Sequence, residues 1–249
     1  AGAYYGINVL ARQAKLNNER VGVIVGLLLM RLPEEKPALR RREPIWANIA
    51  AGIDYVRRTP AILEPLLLMA VLSMFAMNFN VLVPAYAKHT LRLTETGYGF
   101  LMAALGIGAF AGAIMLAFIS HRGPQRFLLV AGATGVTLFQ VAVALVRSFP
   151  LAFLFLALTG WSMITFTASV NTTIQLASPD ELRGRIMSLY SLVFGGVIPF
   201  GSLFAGTVAG WGGAPVALAA GGVIGLGLAL VVSYSIRQRF RQKPGTDSV

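Results

Sequence analysis

Six stretches of this chain, residues 65–83, 97–119, 127–146, 151–173, 186–209 and 214–235, contain no Asp, Glu, Lys or Arg. Each is long enough to cross a hydrocarbon core of ~30 Å as a helix, which takes about 20 residues. A chain in lipid must satisfy its own backbone polar groups, so only helices and closed barrels span the bilayer. Barrel strands alternate in character at every second residue, whereas these windows are apolar throughout. The fold class that follows is an all-α membrane protein, a six-helix transmembrane bundle. Composition agrees, because 12% of the 249 residues are charged against ~25% in soluble domains.

The charges that remain lie between the windows. Lys and Arg number fifteen in alternate connections (residues 31–58, 120–126, 179–185 and the tail after 235), and only Lys88, Arg92 and Arg147 lie in the opposite ones. Positive residues stay on the cytoplasmic side, so the linker and the C-terminal tail are expected in the cytoplasm. The net charge of +11 is spread over loops rather than gathered in one patch, so membrane lipid is an expected partner and nucleic acid is not. The chain has no Cys, which excludes disulfides and thiolate metal sites.

Four regions are expected. Residues 1–31 read as a partial or remodelled transmembrane helix, because "ARQAKLNNER" interrupts two apolar runs. Arg12, Lys15 and Arg20 at the bilayer centre would cost about 2.5–3.5 kcal/mol each. Residues 32–60 form a cytoplasmic linker with an amphipathic surface helix, marked by Ile45, Ile49, Ile53 and Val56 at helical spacing. The bundle occupies 61–236, and 237–249 form a basic cytoplasmic tail.

Polar groups inside the spans are the candidates for function, because an unpaired polar group in lipid is costly. Asn78 and Asn80 are two apart and cannot share one narrow helical face. One is expected at a cavity and the other bonded to a neighbouring helix. The fourth window is the most polar; Thr159, Ser162, Thr165 or Ser169, and Thr173 recur at a spacing of three to four. That stripe either lines a path or bonds its own backbone. Asn78, Phe79, Trp161, Thr165, Ser169 and Phe194 are the substrate-cavity candidates. Pro199 inside the fifth window removes a backbone donor and is expected to kink that helix.

"QLASPDELRGRIMSLYSLVFGG", residues 175–196, concentrates charge between two apolar windows. Ser178, Pro179 and Glu181 read as a helix start with a capping box. Asp180, Glu181, Arg183 and Arg185 then mark a cytoplasmic turn. Two readings stay open for this cluster: a solvated turn that fixes topology, or a gate that pairs with neighbouring helix ends in one conformation only.

The same run resembles the tenth-to-eleventh helix region of the major facilitator superfamily, in particular its bacterial drug and siderophore efflux group. The pattern Q-x-x-x-P-x-x-x-R-G-R-x-x-S falls on Gln175, Pro179, Arg183, Gly184, Arg185 and Ser188. The resemblance extends over the chain from about residue 21, so the six windows look like helices seven to twelve. "FISHRGPQRF", residues 118–127, is similar to a second copy of the family's D-R-x-G-R-R loop, with Arg122 as a further gating candidate and His121 in place of the aspartate. The resemblance implies a secondary transporter in the bacterial inner membrane, exporting a small amphipathic compound by alternating access, of which this is the second half. It also implies two partners: a small-molecule substrate, and either the missing six-helix first half or a second copy of this chain. Any proton-coupling group is expected in the missing half, since no carboxylate lies inside the windows.

Enzymatic activity, a metal and a cofactor are not expected. The only histidines, His89 and His121, fall in loops on opposite sides, so neither a serine–histidine pair nor a metal cluster can be assembled in the membrane. The alternative to transport is a membrane scaffold or assembly subunit.

Overall fold

The computed structural model describes residues 45–119 and 126–241, and its regular structure there is entirely helical. The expected partial span over 1–31, the start of the linker, His121, Arg122 and the end of the tail lie outside the described residues.

Helix α1 (Ile45–Arg58) precedes the bundle. Val56 is buried, and a Cβ on Gly52 would stand 3.5 Å from the Arg185 Cβ, so this face packs on the bundle end. On the exposed side Arg58 pairs with Asp54 at 3.0 Å. The first span starts at α2 (Pro60–Phe75), with proline in its first turn, where the backbone donor it lacks has no helical partner anyway. It is not one continuous α-helix. After a non-helical step at residues 76–78 it resumes as α3 (Phe79–Ala85) and ends in a π-helical turn (Tyr86–Thr90).

Three further spans follow as α4 (Glu95–Ile119), α5 (Arg126–Leu145) and α6 (Phe149–Ala177). The link between α5 and α6 is three residues long, so the two are antiparallel neighbours. The last helical run, α7 (Asp180–Arg241), has 62 residues and would be about 93 Å long if straight, three times the hydrocarbon thickness. It breaks at Gly213 (φ 82, ψ 168), a conformation glycine adopts without Cβ strain. The two arms, residues 180–212 and 214–241, fold back on each other. Both Gly201, in the first arm, and Gly221, in the second, pack against residues 74–75 of α2. The six expected windows therefore lie on five helical runs long and apolar enough to cross a membrane among the described residues, the last of them broken at Gly213 into two arms.

Glycine sets the closest approaches. A Cβ on Gly108 of α4 would overlap the Ala157 carbonyl of α6, and one on Gly160 of α6 would overlap the Leu105 carbonyl of α4. Backbones this close gain van der Waals contact where no hydrophobic force drives helices together. Phe100, Ile107, Phe110 and Phe118 form the exposed stripe of α4, opposite its buried Leu101, Ala104, Gly108 and Gly112. Such outward apolar side chains fit hydrocarbon.

The buried apolar side chains form two clusters. One holds Leu66, Met69, Leu72, Ala76, Val136, Phe166, Ile174 and Ile186; the other holds Phe79, Leu82, Tyr86, Leu101, Leu156, Ala205 and Leu218. Residues up to Ala76 belong to the first and those from Phe79 to the second, so the break in the first span falls at the boundary between the clusters, at mid-depth of the bundle. Within the long run, Pro199 lies inside the helical first arm, and the non-helical residue is Gly213.

Candidate functional site: a cavity beside a broken helix

A helix that stops inside a membrane leaves carbonyls without N–H partners. Here Ala76 N–H returns to the Leu72 carbonyl at 2.8 Å, and Asn78 Nδ2 donates to the Met74 carbonyl at 2.7 Å. Asn78 is 5% exposed, and its carbonyl receives the N–H groups of Val81 and Leu82, which starts α3. One asparagine thus closes the end of α2 and opens α3. Gly201 of the first arm of α7 lies against it, since a Cβ there would stand 2.5 Å from the Met74 oxygen.

Beside this break lies a cavity of about 320 Å³. The broken span contributes Met77, Phe79 and Asn80, α4 contributes Met102, Leu105, Gly106 and Ala109, and α6 contributes Gly160, Met163, Ile164 and Thr167. No Asp, Glu, Lys, Arg or His is among these residues. Thr167 lines the space, and its Oγ1 donates back to the Met163 carbonyl at 2.9 Å, which leaves it acceptor capacity only. The exposed Asn80 carries the other polar group. Of the two asparagines it is therefore Asn80 that stands at the cavity, while Asn78, the expected cavity candidate, bonds the Met74 carbonyl of its own span rather than a neighbouring helix, because the end of α2 leaves that carbonyl without a backbone donor.

The remaining sequence candidates lie elsewhere. Trp161 is 39% exposed, and its Cδ1 would be 2.9 Å from a Cβ on Gly112. Phe194 stacks on Tyr190 with ring centroids 6.3 Å apart. Thr165 is buried with its hydroxyl unpartnered among the described residues. The Ser169 carbonyl accepts the Thr173 hydroxyl at 2.7 Å, while Thr159 and Ser162 donate to Phe155 and Leu158 at 2.7 and 2.8 Å. Most of the stripe therefore bonds its own helix, and Thr167, outside the expected spacing, is the hydroxyl at the cavity.

In the charged turn, Arg183 Nη1 stands 2.7 Å from Asp180 Oδ1, while its other nitrogens donate to the Gln175 and Ser178 carbonyls at 3.3 and 3.4 Å. Arg183 thus caps the carbonyl end of α6, where the helix dipole is negative. The capping box expected at Ser178 is not formed. The Ser178 hydroxyl donates backwards to the Ile174 carbonyl at 2.5 Å, and the Leu182 and Arg183 N–H groups go to the Pro179 carbonyl. A buried hydroxyl in the last turn of a helix finds that carbonyl within reach. Glu181 and Gly184 are exposed, and Arg185 backs onto Gly52 of α1.

Two features escaped the sequence reading. Arg126 Nη2 pairs with Glu64 Oε2 at 2.5 Å, joining the N-terminal ends of α5 and α2 beside a second cavity of about 370 Å³ that also touches Thr173. A carboxylate at the edge of an apolar window was the signal available for it. Gln140, fully buried, donates from Nε2 to the Leu218 carbonyl at 3.0 Å and so ties α5 to the second arm of α7, leaving its Oε1 unpartnered among the described residues.

A bundle of apolar helices with a mid-depth cavity on a discontinuous span is a polytopic membrane protein of the kind in which secondary transporters build their sites. The sequence profile of the transmembrane secretion effectors, a branch of the major facilitator superfamily, matches residues 16–248, and the chain belongs to that family. Over 231 residues it is 29% identical to the enterobactin exporter EntS of Escherichia coli O81 (strain ED1a), an alignment covering 90% of this chain and 54% of that protein. The identity and coverage are the same for the enterobactin exporter EntS of Shigella boydii serotype 18. The chain spans about half the length of the curated relatives it matches. No solved structure matches it.

Proposed function

We propose that this chain is the second helical bundle of a secondary active efflux transporter in the bacterial cytoplasmic membrane. It moves a small amphipathic compound by alternating access, together with a six-helix first bundle or a second copy of itself. The observation that carries this reading is the cavity at the Asn78 break, which exposes a polar group at mid-depth while the backbone around it stays satisfied. Unwound or broken spans at the midplane are where transporters hold their cargo. The family and the exporter relatives support the direction of transport.

The basic connections support an orientation with the 178–185 turn and the C-terminal tail in the cytoplasm. In that orientation Arg183 and Arg185 act as an inner gate, and the first arm of α7, with Leu192, Phe200 and Leu203 exposed along it, turns toward the other bundle. No charged side chain lines the cavity, so the group that couples transport to an ion belongs to that other bundle.

The test is export of a lipophilic fluorescent dye from cells that make this chain alone or joined to a matching first six-helix half, at equal membrane levels. Export by the joined form is the expected result. Correct insertion without export in either form, across a panel of dyes, would favour a scaffold that transports nothing.

A further inference from the structure

Building on the reading of this cavity as the substrate path, we infer that it admits an uncharged aromatic group and rejects the charged form of the same molecule. Three thioethers, those of Met77, Met102 and Met163, and the Phe79 ring line the space. Thioethers are polarizable and pack favourably against aromatic edges, and an unbranched Met adapts to rings of different outline. The polar complement is small. Asn80 offers two donors and one acceptor, and Thr167 offers lone pairs only, because its proton is held by the Met163 carbonyl.

An ion entering this space finds no opposite charge and loses its hydration, a loss that only pairing offsets. A neutral ring system with one or two hydrogen-bonding groups loses little water and gains the thioether contacts. The volume of about 320 Å³ lies at the low end of small-molecule sites, which run from ~300 to ~1,000 Å³. A unit of two or three fused or linked rings is the matching size. For a weak acid or base, the neutral form is then the species this bundle binds.

Gly106 supplies a clean way to close the cavity. A Cβ there meets nothing within 4 Å, whereas one on the neighbouring lining residue Gly160 would overlap the Leu105 carbonyl. Gly106→Phe therefore fills the space without moving α4 from α6, and Gly106→Leu fills it partly. Gly227, equally open and absent from the cavity lining, takes the control substitution Gly227→Phe.

The experiment titrates two matched probe pairs into nanodiscs carrying the purified chain. N-phenyl-1-naphthylamine is neutral, and 8-anilino-1-naphthalenesulfonate adds one sulfonate to the same skeleton. Diphenylhexatriene and its trimethylammonium derivative form the cationic counterpart. Binding lost in Gly106→Phe is cavity binding, which removes partition into lipid from the comparison. We expect cavity binding of both neutral probes, graded loss in Gly106→Leu, full retention in Gly227→Phe, and at least ~10-fold weaker cavity binding of either charged partner. Charged probes that match the neutral ones within ~3-fold, or neutral probes with no binding sensitive to Gly106→Phe, would overturn the inference. Dye export by the joined transporter, measured with the same variants, separates the two levels. Export blocked by Gly106→Phe alongside equal binding of charged and neutral probes sinks only the substrate class, and export indifferent to Gly106→Phe sinks the substrate path itself.

Discussion

Asn78 and Asn80 stand two residues apart and perform different tasks, which makes them separable by mutation. Asn78→Ala strips the Met74 carbonyl of its donor at a buried helix end. We expect a stability loss of about 1–3 kcal/mol, read as a lower melting temperature in nanodiscs. Asn80→Ala touches no hydrogen bond of the fold and should stay within ~0.5 kcal/mol of the parent while changing dye affinity. An equal stability loss in both would remove the distinction. Gln140→Leu loses the bond to the Leu218 carbonyl but also the unpartnered Oε1, so its melting point should shift by less than the equivalent of ~1 kcal/mol. The spacing of the pair kept the two asparagines off one face, but it led to Asn78 at the cavity and the other bonded to a neighbouring helix, whereas Asn78 bonds its own span. The chain break decided this, and no Gly or Pro at residues 76–78 announces that break. The polar stripe on α6 was legible as polar, but its hydroxyls had two ways to be satisfied, and only geometry separates them.

Helices show the same limit from another side. Where each span ends was legible, because charges and turn residues bracket most of the windows, and the bounds 186–209 and 214–235 left the connection of the last two between them, where Gly213 lies. Which glycines mattered was not, because a close approach needs two helices and the sequence shows one at a time. Gly106 and Gly108 illustrate this on one helix. Gly108→Ala places a Cβ against the Ala157 backbone and should destabilise by ~3 kcal/mol or more. Gly106→Ala meets open space and should stabilise by about 0.5–1 kcal/mol through helix propensity. Thermal unfolding of the two variants side by side tests the packing of α4 on α6, and a common sign would contradict it. At the charged turn, Arg183 is 47% exposed, so losing its pair with Asp180 should cost no more than ~1 kcal/mol. Arg183→Ala with Arg185→Ala in the joined transporter is therefore expected to lower transport while insertion holds. Unchanged transport would leave the two arginines a purely topological role.

For the whole molecule, composition and charge placement were enough to give a six-helix bundle and an expected orientation, because lipid leaves a chain few alternatives. The site was harder to read, since its residues come from three spans that the sequence keeps far apart: 77–80, 102–109 and 160–167. Met102 and Met163 carry no pattern that ties them to Asn80. Alternating access requires this cavity to open to each side of the membrane in turn. The chain has no cysteine, so Asn80→Cys gives it a single thiol at the cavity wall, and the joined first half is made cysteine-free. The decisive measurement is its labelling by a membrane-impermeant maleimide applied from either side of the joined transporter. Labelling from both sides, slowed by a transported dye, is the result predicted here. Labelling from one side only, indifferent to the dye, would contradict alternating access through this cavity.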